Sequence, residues 1–134
     1  MKLCLQLAGI LQLVLSLAHC ALPRRFGWRE ELQRVSLVTR QVFWVHMGFL
    51  MLTLAGFGSV TWLRADDLLT RGPLARTVLG GLAVFWIARL YCQFFVYRPE
   101  LWRGNPVNTT AHVLFAALWT FLAGVYTAAF RLQF

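Results

Sequence analysis

Residues 41–63, QVFWVHMGFLMLTLAGFGSVTWL, form a stretch of 23 residues without a charge. A bilayer hydrocarbon core about 30 Å thick is crossed by roughly 17–25 helical residues. This stretch is therefore long enough to span. It is not alone: comparable runs occur at about Leu3–Leu22, Leu74–Tyr97 and Thr109–Phe130. Short segments rich in Arg, Pro and Gly divide them, and nothing is left over for a soluble domain. The expectation is an all-α integral membrane protein, a bundle of four transmembrane helices, with residues 1–134 forming one membrane domain.

Composition agrees. The chain is 59% apolar, against about 45–50% for a soluble domain, and its mean hydropathy is +0.61. A net charge of +8 would suggest nucleic acid in a soluble protein. Here the arginines sit at the ends of apolar runs, where they anchor and orient helices. No nucleic-acid partner is expected; the lipid bilayer is. The three cysteines, Cys4, Cys20 and Cys92, have no CxxC or zinc spacing and do not suggest a disulfide framework.

The first run, MKLCLQLAGILQLVLSLAHCALP, also resembles a secretory signal, with small residues near Ala18–Ala21. A single lysine ahead of it, and Gln6, Gln12 and Ser16 within it, favour a retained helix. Arginine placement then sets orientation. Arg24, Arg25, Arg29, Arg34, Arg40, Arg98 and Arg103 fall on one side, and Lys2, Arg64, Arg71, Arg76 and Arg131 on the other. The positive-inside rule puts the 23–40 and 98–108 segments in the cytoplasm and both termini outside, in a cell inner (plasma) membrane.

Three connecting features invite local readings. In PRRFGWREELQRVSLVTR, Trp28, Leu32, Val35 and Val38 or Thr39 recur at helical spacing, with Glu30 and Arg34 as an i,i+4 pair. That pattern suggests a short amphipathic helix over about 27–39, lying on the membrane surface. Asp66 and Asp67 lack partners for metal or acid–base chemistry and read as a solvated loop or helix cap. Asn108-Thr109-Thr110 matches a glycosylation sequon, but beside a span on the cytoplasmic side Asn108 or Thr109 reads better as a helix N-cap.

Alternating helix direction places His19, His46, His112, Arg89, Tyr91, Cys92 and Gln93 in one layer of the membrane. Arg89 is the most informative. It lies eight residues before Tyr97, about 12 Å below the interface, where a charge costs on the order of 2.5–3.5 kcal/mol. No span contains Asp or Glu. Its partner must be a backbone carbonyl, Gln93 one turn on, an inward-folding Glu100, a lipid phosphate or a bound anion. Two stripes, Gln6, Gly9, Gln12, Ser16 and His19 on the first span and His112, Ala116, Ala123 and Thr127 on the fourth, are expected to face the bundle interior.

Three functional readings follow. The first is a structural or accessory subunit of a larger membrane complex or a homo-oligomer, in which the layer serves packing. The second is a b-type haem held by His46 and His112, with Arg89 at the propionates and Trp86 and Tyr91 packed nearby. A variant of it is copper or zinc on those histidines, with His19 or Cys92 as third ligand. The third is anion, quinone or proton handling centred on Arg89. No enzyme motif occurs. In type, the chain resembles small four-span inner-membrane proteins of bacteria, a likeness that assigns no residue a role.

Overall fold

The computed structural model describes all 134 residues, and they form helices and turns with no strand. Three helices are long and apolar enough to cross a membrane: α4 (Leu37–Leu63), α6 (Pro73–Phe95) and α7 (Pro106–Arg131). A shorter apolar helix, α1 (Lys2–Ala18), precedes them, and α2 (Leu22–Arg25), α3 (Trp28–Glu31) and α5 (Ala65–Leu69) are brief.

Capping chemistry explains why the long helices begin earlier than hydropathy alone implies. Ser36 caps α4, its hydroxyl accepting from the Thr39 N–H at 3.3 Å. Asn105 caps α7, its side-chain oxygen accepting from the N–H groups of Val107 and Asn108. Pro106 follows at the first helical position, where a missing N–H costs nothing. The cap is thus Asn105, and the expectation of Asn108 or Thr109 is corrected. Those two residues tie back to the preceding loop instead, Asn108 Nδ2 donating to the Leu101 carbonyl and the Thr109 hydroxyl to that of Trp102.

The helix expected over 27–39 is also corrected. Gly27 adopts a left-handed conformation (φ 65°), α3 lasts four residues, and Leu32–Arg34 tightens into a 3-10 turn. Val35 is then extended, so that Ser36 can cap α4. Broken this way, the segment brings no Glu30–Arg34 ion pair together. Likewise α1 stops at Ala18 rather than near Leu22. Backbone bonds from Cys20 to Leu17 and from Ala21 to Ala18 tighten its end, and Pro23 cannot continue a helix.

The chain divides into two compact units. In residues 6–64, α1 and α4 approach backbone to backbone. A Cβ on Gly9 would lie 2.8 Å from the Gly58 carbonyl oxygen, and one on Gly58 would lie 2.8 Å from that of Gly9. Seven residues on from Gly9, the Ser16 hydroxyl donates to the carbonyl of Met51, seven residues before Gly58, at 2.8 Å. The two contacts define an antiparallel crossing over two turns. Small residues suit such a crossing, since in lipid it is held by close packing and hydrogen bonds and not by burial from water. Gly9, Gln12 and Ser16 are buried there, as their stripe implied.

The second unit comprises residues 1–5 and 65–134, and its centre is the antiparallel hairpin of α6 and α7. Leu79, Leu82, Ala83 and Trp86 are buried on α6; Trp119, Leu122, Tyr126 and Ala129 are buried on α7. The α7 set recurs at three- and four-residue spacing, which keeps it on one face. The small-residue face expected from His112, Ala116, Ala123 and Thr127 is corrected accordingly: of these only Ala123 is buried. Bulky aromatic and aliphatic side chains fill the hairpin interface. At its far end, Gln133 is 2% exposed. It accepts from the Gly72 N–H at 3.2 Å and donates to the Leu68 carbonyl at 3.0 Å. Asp66, in the first turn of α5, pairs with Lys2 at 2.6 Å on the surface, an interaction typically worth below about 1 kcal/mol.

Candidate functional site: a glutamine-centred cluster between α6 and α7

Of the residues singled out by sequence, the structure brings together Arg89, Gln93 and His112. Gln93 is 5% exposed and sits at the hub. Its Oε1 accepts from the Trp119 indole N–H at 3.0 Å and from Arg89 Nη1 at 3.3 Å. Its Nε2 lies 2.7 Å from His112 Nδ1. The direction of this last bond follows from the other two. Indole and guanidinium groups can only donate, so the oxygen of the amide must face them and its NH₂ must face the histidine. His112 Nδ1 therefore accepts, and the proton of the neutral ring is on Nε2.

Aromatic rings close around the same side chains. His112 stacks on Trp102 with centroids 3.8 Å apart and meets Phe94 edge-on at 6.1 Å. Trp119 is the middle ring of a stack, 5.2 Å from Trp86 and 5.6 Å from Phe115. The Arg89 guanidinium carbon sits 4.6 Å from the Trp119 ring centroid and 5.5 Å from that of Tyr97. This answers the question posed by a carboxylate-free span. The charge rests on the negative faces of two rings, each such contact being worth about 0.5–2 kcal/mol, and on one amide oxygen. Arg89 has five N–H donors and engages one of them.

Trp102 and Trp119 are the members that sequence reading did not identify. Trp119 was within reach of it, lying seven residues after His112 and so on the same face of α7. Trp102 was not, since it belongs to the loop between the helices and only its fold onto α7 carries it to His112.

Tyr91 and Cys92 are not members of this hub. Tyr91 is exposed and stacks on Phe95 at 4.7 Å, and Cys92 is a half-buried free thiol. His19 and His46 belong to the other unit, where each donates from Nδ1 to a carbonyl one turn back in its own chain. His19 reaches Leu15 at 2.7 Å and His46 reaches Val42 at 2.8 Å. The Nδ1 of His46, within the apolar run 41–63, is thereby satisfied by its own helix.

These bonds bear on ligand chemistry. In neutral His19 and His46, Nδ1 carries the proton and the Nε2 lone pair is open to a metal. His112 has the reverse arrangement. Coordination through its Nε2 would need Nδ1 to carry the proton, opposite an amide NH₂ already fixed by Trp119 and Arg89. No group of three or more His, Cys, Asp and Glu side chains is placed to hold a metal ion. Compared with known protein families, curated proteins and solved structures, the chain matches none.

Proposed function

We propose that this chain is a structural or accessory membrane protein, crossing a cell inner membrane four times and joining a larger membrane assembly or a homo-oligomer. In this reading α1 crosses with the three longer helices. The 23–40 and 98–108 segments face the cytoplasm, and both termini lie outside. One observation carries the proposal: the Gln93 amide is engaged at both its oxygen and its nitrogen inside the hairpin, accepting twice and donating to His112. An amide used this way binds α6 to α7, its hydrogen bonds spent on protein side chains. The surface recess beside Leu90 and the one beside Trp44 are both lined by residues other than Arg89, Gln93 and His112.

The test is capture from native membranes in mild detergent. The expected result is co-elution with other membrane subunits, or with further copies of the chain, in a colourless preparation without stoichiometric metal. A clean monomer would overturn the accessory role. A haem spectrum, or one transition metal per chain, would replace it with the cofactor reading on His46 and His112.

A second reading, anion, quinone or proton handling, is favoured by Arg89 alone, which holds a half-buried charge with one hydrogen bond and no carboxylate. It requires flux in liposomes that Arg89→Ala abolishes.

A further inference from the structure

A recess of about 410 Å³ opens in the 6–64 unit, lined by Arg29, Gln33, Arg40 and Trp44. Three elements build it: α3 supplies Arg29, the 3-10 turn supplies Gln33, and the first turns of α4 supply Arg40 and Trp44, one turn apart on the same face. The break at Val35 is what folds the turn back against α4, so a continuous helix over 27–39 would not make this recess. Two guanidinium-bearing side chains line it. Neither makes an ion pair, and neither Glu30 nor Glu31 lines the recess. The N-terminal end of α4 adds partial positive charge.

We infer that this recess binds the phosphodiester of an anionic phospholipid headgroup. Paired arginines suit it because guanidinium forks match phosphate oxygens bidentately. Gln33 adds a donor and an acceptor for headgroup hydroxyls, and the Trp44 indole suits the ester and glycerol level of the interface.

Depth argues for a lipid over a free phosphate. The 27 residues of α4 extend about 40 Å at 1.5 Å each, some 10 Å more than a hydrocarbon core. Its first turns therefore reach the headgroup zone. Arg40 lies three residues from the helix start and Trp44 seven, about 4 and 10 Å along the axis, in the order phosphate and then ester. The cluster of Phe26, Trp28, Phe43 and Trp44, with successive centroids 5.4–5.6 Å apart, has the amphipathic rings of an interfacial anchor. The inference rests on the chain being a membrane protein and is independent of the accessory role.

The experiment is native mass spectrometry of the whole protein released from nanodiscs containing phosphatidylglycerol and phosphatidylcholine. The wild type is expected to retain phosphatidylglycerol selectively. The double variant Arg29→Gln/Arg40→Gln should retain about thirtyfold less, the loss of two arginine–phosphate attractions. Arg24→Gln/Arg25→Gln, with the same change in net charge, should retain it as the wild type does. Equal retention by both double variants, or equal loss, would overturn the site. Displacement of the lipid by millimolar inorganic phosphate would overturn the lipid as its ligand. A parallel measurement needs no variant: the wild type's melting temperature should rise with phosphatidylglycerol and not with phosphatidylcholine, and equal shifts would also overturn the inference.

Discussion

Gln93 Nε2 donates to His112 Nδ1 across 2.7 Å, and that single contact gives His112 the opposite ring tautomer from the protein's other two histidines. His19 and His46 donate from Nδ1 to carbonyl oxygens, whereas His112 accepts there. The consequence is measurable by ¹⁵N NMR of histidine-labelled protein above the titration range of imidazole. Two rings should show a protonated Nδ1 and one a protonated Nε2. In Gln93→Leu the exceptional signal should lose its distinct environment. Three rings of one tautomer in the wild type would refute the assigned direction of the bond.

Gln93→Leu should also destabilise the hairpin by about 1–3 kcal/mol, because Trp119 and Arg89 would keep buried or half-buried donors without an acceptor. Gln93→Glu should be milder at its oxygens, which still accept, yet it cannot donate to His112. Thermal unfolding in detergent, followed by circular dichroism, ranks the variants. A leucine variant as stable as the wild type would show that the amide contributes no net binding between α6 and α7.

The glycines of α4 provide a paired test. A Cβ at Gly58 meets the Gly9 carbonyl oxygen at 2.8 Å and Leu13 Cγ at 2.9 Å, whereas one at Gly48 meets nothing within 4 Å. Gly58→Ala should force the helices apart and lower the melting temperature. Gly48→Ala should be neutral or stabilising, since alanine is favoured over glycine in a helix by about 0.5–1 kcal/mol. Equal effects would remove the close crossing of α1 and α4.

At the other end of the hairpin, Gln133→Ala removes two bonds, the one Gln133 accepts from the Gly72 N–H and the one it donates to the Leu68 carbonyl. A loss of about 1–2 kcal/mol is expected, and the clearer readout is local. Amide exchange at Gly72 should accelerate while that in the middle of α6 stays unchanged. Unaltered exchange at Gly72 would show that the bond does not protect it.

Asn105→Ala should cost about 0.5–2 kcal/mol through loss of the α7 cap, and Thr109→Ala should cost less, because its hydroxyl also reaches the loop carbonyl of Trp102 but caps nothing. The reverse order would restore the cap to the sequon.

Much of this protein could be read from composition along the chain. Membrane character and the positions of α4, α6 and α7 follow from uninterrupted apolar length, because crossing a hydrocarbon layer is a one-dimensional requirement. The Arg89–Gln93 pairing was legible for a similar reason: i,i+4 spacing on one helix is a local geometry. So was the inward-facing stripe on α1, of which Gly9, Gln12 and Ser16 are buried, although Gly58 as its counterpart was not. The tertiary structure alone decided what lies between sequence-distant elements. It brought Trp119 and Trp102 to His112, folded Gln133 back onto Leu68 and Gly72, and broke residues 27–39 so that two arginines share a recess. Those outcomes depend on which side chains meet across helices and on where backbone N–H groups find acceptors, and neither is written in hydropathy or in spacing along the chain.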